Sequence, residues 1–337
     1  MSALAAVAVG LAAAADAVVA EPPTRLHPVA WFGRVASAVD REWSRPRFVG
    51  SLAAVGLPLV AAGTTAAVVV GLARIGAAVG GSELGRAAGT VAAAATLFVT
   101  TSRTMLLTEA AAVVDASDSD PAAARERVPS LVGRDPESLS PAELRSAAVE
   151  SAAENLADGL VAPLVGFVVG VAAVSGVSAV TVGKVGFSST AGAAFPTTAP
   201  LAVGAGLAAW VKAVNTLDSM LGYRSKPAGW APARLDDAAM WLPARLSAVL
   251  VAVAAADAGA LRRGAALADR PPSPNSGWPM ATLAAALPTR LRKPGGYDLA
   301  AADSLPTPAT ARCGVAVVGR AGWLAVVAAA VVAGVVP

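Results

Sequence analysis

The chain has 337 residues and a formal net charge of +3, with 55% hydrophobic, 15% charged and 4% aromatic residues. Soluble domains carry about 25% charged residues; here the mean hydropathy is +0.61, which predicts lipid-facing helices rather than one water-soluble core. Disorder, collagen and a disulfide scaffold are excluded together, and a single histidine, His27, and a single cysteine, Cys313, make a zinc enzyme a poor fit.

In chain order, Met1 to Ala20 is apolar except for Asp16 and lacks a basic leader region, so it reads as a retained first span. Further spans are expected from Phe48 to Leu72, Ala87 to Ser102, Gly159 to Gly183, Gly186 to Val211 and Cys313 onward. The segment from Trp241 to Leu261 is interrupted by Pro243, Arg245 and Asp257, so a re-entrant, interfacial or protein-buried helix is expected there. The expected fold is all-α, a polytopic integral membrane helical bundle of about six transmembrane helices plus that extra helix and helical loops, in a single membrane domain over residues 1–337.

Charge asymmetry supports the count. With the N-terminus outside, segments 21–47, 103–156 and 212–312 share one face and hold every basic residue except Arg74, Arg86, Lys184 and Arg320. Cytoplasmic loops carry the excess of Lys and Arg, which makes this face cytoplasmic and the chain a multi-pass cell-membrane protein.

Four polar constellations on that face are not explained by lipid. Leu26-His27-Pro28 through Gly33-Arg34 follows the first span, and an interfacial anchor is its plain reading. Ser140-Pro141-Ala142-Glu143 is a capping box that should start a helix. Along that helix Glu150, Glu154 and Asp158 recur at i, i+4 and i+8, which puts three carboxylates on one face. A solvated face accounts for Glu143 and is open for Glu150, but it explains Glu154-Asn155 and Asp158 poorly where an apolar span begins. Magnesium, held by carboxylates together with a substrate phosphate, would suit them.

The third constellation runs from Lys212 to Arg224. Asn215 and Asp218 should face one way there, and Arg234, Asp236, Asp237 and Arg245 follow. The fourth is Ser273-Pro274-Asn275-Ser276-Gly277-Trp278, a turn-rich loop before a helix. No phosphate-binding Gly-Lys-Ser/Thr loop or serine-hydrolase elbow occurs. Basic residues are scattered rather than interleaved with aromatics, so nucleic acid is not an expected partner.

These blocks, in order, resemble the adenosylcobinamide-phosphate synthase family of cobalamin biosynthesis. The resemblance rests on Asp16, His27-Pro28 with Gly33-Arg34, Val132-Gly133-Arg134-Asp135, Glu150 through Gly159 with Ala162-Pro163, and Asn215-Thr216-Leu217-Asp218 with Gly222-Tyr223. It continues through Arg234-Leu235-Asp236-Asp237, Pro243-Ala244-Arg245 and Ser273 through Met280. It departs at Ala20-Glu21-Pro22, where the family usually has Gly-Asp-Pro, and in the Gly/Ser/Thr stretch from Gly183 to Thr198.

The resemblance implies ATP- and Mg2+-dependent amide formation between adenosylcobyric acid, a corrinoid, and (R)-1-amino-2-propanol or its O-phosphate. It also implies work at the lipid bilayer beside other cobalamin-assembly membrane proteins. On that reading Glu154 and Asp158 hold magnesium with Asp218 or Asp236 completing the shell, Glu150 activates the amine, and His27 carries a proton or contacts the corrinoid. Arg34, Arg224, Arg234 and Arg245 contact phosphate, while Asn155, Asn215, Asp236, Asp237, Ser273, Asn275 and Trp278 complete substrate and nucleotide binding. The rival class is a transporter of a polar or anionic small molecule, which should instead carry its polar residues at mid-span.

Overall fold

The computed structural model describes residues 2–131, 136–184, 198–223 and 225–336. The Val132-Gly133-Arg134-Asp135 block, Arg224 and nearly all of the Gly183 to Thr198 stretch, with the expected start of a span at Gly186, lie outside the described residues. In chain order the helices are α1 (Ser2–Val19), α2 (Pro28–Ser37), α3 (Pro46–Thr100), α4 (Arg103–Ser119), α5 (Pro121–Arg127), α6 (Pro141–Leu156) and α7 (Ala162–Lys184). They continue as α8 (Ala199–Leu221), α9 (Trp230–Ala239), α10 (Trp241–Ala254), α11 (Ala258–Ala265), α12 (Gly277–Ala286) and α13 (Pro308–Val335). A π turn, Ala157–Val161, links α6 to α7, and a hairpin of β1 (Arg290–Lys293) and β2 (Tyr297–Ala300) precedes α13.

Two compact units are interleaved along the chain. The first comprises Met1–Thr101, Ala162–Ala239 and Val326–Pro337, the second Ser102–Val161 and Met240–Ala325.

In the first unit α3 is 55 residues long but turns back on itself at Gly80 and Gly81, where Gly81 has φ +78°. Glycine adopts that left-handed conformation without a Cβ clash. The limbs then run side by side, since a Cβ on Gly76 would lie 2.8 Å from the Leu84 carbonyl oxygen and one on Gly85 2.7 Å from that of Ala73. The two expected spans, Phe48 to Leu72 and Ala87 to Ser102, therefore occupy separate limbs. Helices α7 and α8 pack just as closely: a Cβ on Gly170 would lie 2.7 Å from the Gly204 Cα. Lipid tails are as apolar as leucine, so close backbone approach rather than apolar burial holds such a pair together. Gly170→Val should destabilise the protein by about 3 kcal/mol, the upper end for over-packing, because no rotamer relieves a backbone clash. Thermal unfolding of the detergent-solubilised protein measures this, and an unchanged midpoint would contradict the packing.

In the second unit α6 is the buried helix. Its start is fixed by the expected capping box, in which Ser140 accepts from the Glu143 backbone N–H and the Glu143 side chain accepts from that of Ser140. From Leu144 to Ala153 every residue is buried, so the polar ones need internal partners. Arg145 donates to the Pro306 carbonyl (2.8 Å), to Ser117 Oγ and to Asp118.

The hairpin is the one departure from an all-α fold among the described residues. Pairing Leu291 with Leu299 turns both leucines inward, Arg290 pairs with Asp298 across the strands, and Gly295 closes the turn at φ +69°.

Among the described residues four helical stretches are long and apolar enough to cross a membrane: Pro46–Ser119, Pro141–Gly176, Ala199–Leu221 and Pro308–Val335. A fifth is added if the bent pair Pro227–Ala239 and Trp241–Ala254 is one span. By itself α10 has 14 residues, too few to cross. The chain leaves helical geometry at Ala256 (φ +54°) and restarts with Asp257 capping α11, so 241–261 is not one continuous helix.

Candidate functional site

In the second unit, the acidic helix meets a polar pocket. Helix α6 gives way at Ala157 to the π turn that contains Asp158. An i→i+5 turn breaks the 3.6-residue register, and such turns recur at functional sites. The three carboxylates expected on one face do not share one environment: Glu150 is enclosed at 1% exposure, whereas Glu154 and Asp158 are half-exposed. Glu150 accepts hydrogen bonds from Ser146 Oγ (2.6 Å) and the Tyr297 hydroxyl (2.7 Å), and Ser146 Oγ in turn accepts from the Arg292 backbone N–H. Glu150 thus pins the hairpin to α6. A general base must come within hydrogen-bond reach of its substrate, and this enclosed carboxylate is poorly placed to activate an amine.

Beside the π turn lies a pocket of about 390 Å³ lined by Ser102, Glu109, Glu126, Arg127, Leu131 and Asn155 among others. Its walls are tied together locally. The Ser102 backbone N–H donates to the Gly159 carbonyl (3.0 Å), Ser151 Oγ donates to the Leu131 carbonyl (2.9 Å), and Asn155 Nδ2 donates to both the Ser151 carbonyl and Oγ. Arg127 pairs with Glu109 at 3.2 Å. The pocket is acidic overall, with one guanidinium, a hydroxyl and an amide. That set suits a small ligand carrying an ammonium group and hydrogen-bonding oxygens.

The Ser273 to Trp278 loop also belongs to the second unit, where Arg245 organises it. Arg245 donates to Asn275 Oδ1, to the Pro274 carbonyl and to the Trp241 carbonyl, and its guanidinium lies 4.9 Å from the ring centres of both Trp241 and Trp278. Ser273 Oγ accepts from the backbone N–H groups of Asn275 and Ser276. Arg245 is therefore a strut, and the phosphate contact expected of it would have to compete with these bonds. Arg245→Met should free the loop, raising amide hydrogen exchange over residues 273–278 while leaving α6 protected. Unchanged exchange would refute the strut.

The remaining expected residues belong to the first unit. Asn215 and Asp218 lie on the last turns of α8 as expected, half-buried, and the carboxylates of Asp218 and Asp237 repel one another. Gly222 lacks the Cβ that would collide with the Asp218 carboxylate. Asp236 is half-buried, and Arg234 is 70% exposed with Nη1 3.7 Å from Asp237. Arg34 is exposed near the end of α2, where Gly33 approaches Met220.

His27 caps α2, its Nδ1 accepting from the Val29 backbone N–H, with Nε2 3.9 Å from Glu21. Burial, and then the Lys212 ammonium, hold its pKa below the usual 6.5. Burial also raises that of Glu21, Lys212 opposing and Asp16 adding to the rise. Neutral His27 is the form the fold favours, because a protonated Nδ1 cannot accept the capping bond. Its contribution to stability is present above the ordinary value and is lost as pH falls through the lowered one. With a single histidine in the chain, side-chain NMR should report a midpoint below 6.5, moving upward in Lys212→Met; a midpoint at or above 6.5 would contradict this environment.

Among the described residues no three His, Cys, Asp or Glu side chains gather closely enough to hold a metal ion by themselves. The carboxylates fit magnesium only as it occurs with nucleotides, bound by one or two carboxylates plus substrate phosphates. The structure adds Ser102, Glu109, Glu126, Arg127 and Tyr297 to the residues of interest. No spacing in the sequence singled these out, because they reach α6 from elements distant along the chain.

Comparison with known proteins gives a consistent answer. The family described as CobD/Cbib protein matches residues 9–325. A probable cobalamin biosynthesis protein CobD of Methanothrix thermoacetophila is 35% identical over 94% of this chain and 92% of its own. The cobalamin biosynthesis protein CobD of Mycobacterium tuberculosis is 37% identical over 83% of this chain and 78% of its own, and that of Klebsiella pneumoniae 34% over 84% and 80%. No solved structure matches. The ordered polar blocks, the apolar helices that carry them and a match spanning nearly the whole sequence lead to one assignment: this chain belongs to the CobD/CbiB family of cobalamin biosynthesis.

Proposed function

We propose that the protein catalyses ATP-dependent amide formation, joining (R)-1-amino-2-propanol or its O-phosphate to a side-chain carboxylate of adenosylcobyric acid to give adenosylcobinamide or its phosphate. Family membership supports the pathway. The observation that carries the chemistry is the acidic pocket beside the π turn, lined from α6 by Asn155, with Glu154 and Asp158 half-exposed on the adjoining turns.

A carboxylate does not condense with an amine at neutral pH until one of its oxygens becomes a leaving group. Phosphoryl transfer from ATP makes that oxygen part of an acyl phosphate, and the amine then expels it. Glu109 and Glu126 attract the ammonium form of the amine, Ser102 and Asn155 engage its hydroxyl or phosphate oxygens, and a half-exposed carboxylate takes the proton lost as nitrogen attacks. Glu154 and Asp158 are the residues that would hold magnesium arriving with the nucleotide. The ion supplies charge neutralisation on the phosphate oxygens. Asp218, Asn215, Arg234, Asp236 and Asp237 form a second polar group in the first unit and are assigned to substrate or nucleotide binding.

In the membrane, α1, the two limbs of α3, α7, α8 and α13 make the six crossings, with the polar loops cytoplasmic. The test incubates purified protein with adenosylcobyric acid, Mg-ATP and either amine. Mass spectrometry should show a new corrinoid amide with at least one of them, dependent on ATP; no amide with either would overturn the proposal.

A further inference from the structure

Within the first unit, α2, both limbs of α3 and α8 line an open-sided cavity of about 560 Å³ that the proposed chemistry does not use. Its size lies in the range of about 300–1,000 Å³ found for small-molecule sites. The walls are more apolar than their composition suggests. Thr64, Thr96, Thr100 and Thr216 each donate the hydroxyl to a carbonyl of their own helix, three or four residues back. Lys212 is the one charged residue among those lining the cavity.

Polarity is graded along the cavity. One wall carries Val60 and Val68 from an apolar limb of α3, exposed at 61% and 57% where hydrocarbon would lie. Another is α2, whose Trp31 is 48% exposed and donates its indole N–H to the Arg25 carbonyl, as an interfacial tryptophan does. The segment 21–47 that contains α2 holds five arginines, Arg25, Arg34, Arg41, Arg45 and Arg47, against the acids Glu21, Asp40 and Glu42. Lys212 acts electrostatically on Glu21 and His27 of that segment, which places its ammonium at the polar end. An apolar slot lined at its polar end by a single lysine, beside Glu21 and neutral His27, matches an amphiphile with an aliphatic tail and an anionic head.

We propose that this cavity binds one anionic phospholipid of the bilayer, with an acyl chain between α2, α3 and α8 and the phosphate near Lys212. The inference rests on the membrane reading of α3 and α8 and is independent of the ligase chemistry.

The test is native mass spectrometry of the full chain released from nanodiscs of equal phosphatidylglycerol and phosphatidylcholine. Wild type should retain one phospholipid, enriched about five-fold in phosphatidylglycerol, as one basic residue near an anionic surface would give. Thr64→Trp fills the slot from an exposed position and Ala61→Phe from a half-buried one, and both should lose the lipid. Lys212→Gln should keep the occupancy and lose the headgroup preference. Equal retention of the two lipids by wild type, no retained lipid, or retention unaffected by both filling variants would overturn the proposal.

Discussion

Glu154→Gln and Asp158→Asn should each lower amide formation by about 10²- to 10⁴-fold, the range for removing a positioned acid–base group, while the protein remains folded. Both side chains are half-exposed, so the same-shaped amides should be accommodated without loss of the fold. The loss should fall on turnover more than on the apparent affinity for the corrinoid, because these carboxylates are assigned to the nucleotide and the amine. Steady-state kinetics of variants with wild-type circular dichroism and melting temperature separate the two effects. Turnover within about two-fold of wild type for both would remove α6 and its π turn from the proposed site.

Glu150 should behave in the opposite way. Glu150→Ala leaves the Ser146 and Tyr297 hydroxyls without their carboxylate acceptor at a position 1% exposed. Each unsatisfied buried group costs about 1–3 kcal/mol, and the lost side-chain volume adds a cavity term. A total of about 3–5 kcal/mol is expected, enough to unfold a marginal protein. Glu150→Gln keeps an oxygen to accept from Ser146 and an amide to meet the Tyr297 hydroxyl, so it should melt close to wild type and retain most activity. A Gln variant that folds normally but is inactive would return Glu150 to the role of catalytic base that the family resemblance implied.

That contrast shows how far the sequence carries. The capping box at Ser140, the continuation of α8 through Asn215 and Asp218, and the break after α10 were all legible, because each depends on residues within one or two turns of one another. Helix periodicity placed Glu150, Glu154 and Asp158 on one face but could not show that Tyr297 and the Arg292 backbone, far along the chain, close over Glu150. Nor does any local signal announce the π turn at Ala157–Val161. The hairpin at 290–300 did have a signal, since alternating Leu291 and Leu299 flank Gly295-Gly296. Arg245 shows the same limit: the family resemblance implied a phosphate contact for it, while its bonds to Asn275 and the Pro274 carbonyl and its place between two tryptophans became visible only once α10 and the loop were brought together.

The most direct measurement of ATP-driven amide ligation follows oxygen rather than product mass. Adenosylcobyric acid labelled with 18O in the reacting carboxylate is converted by the purified protein with Mg-ATP and the amine. If the carboxylate is activated by phosphoryl transfer, one labelled oxygen stays in the amide carbonyl and the other leaves with the transferred phosphate, so 18O-phosphate should accumulate in step with the amide. Amide without label in any phosphorus-bearing product, or labelled corrinoid recovered unchanged while ATP is consumed, would contradict the account.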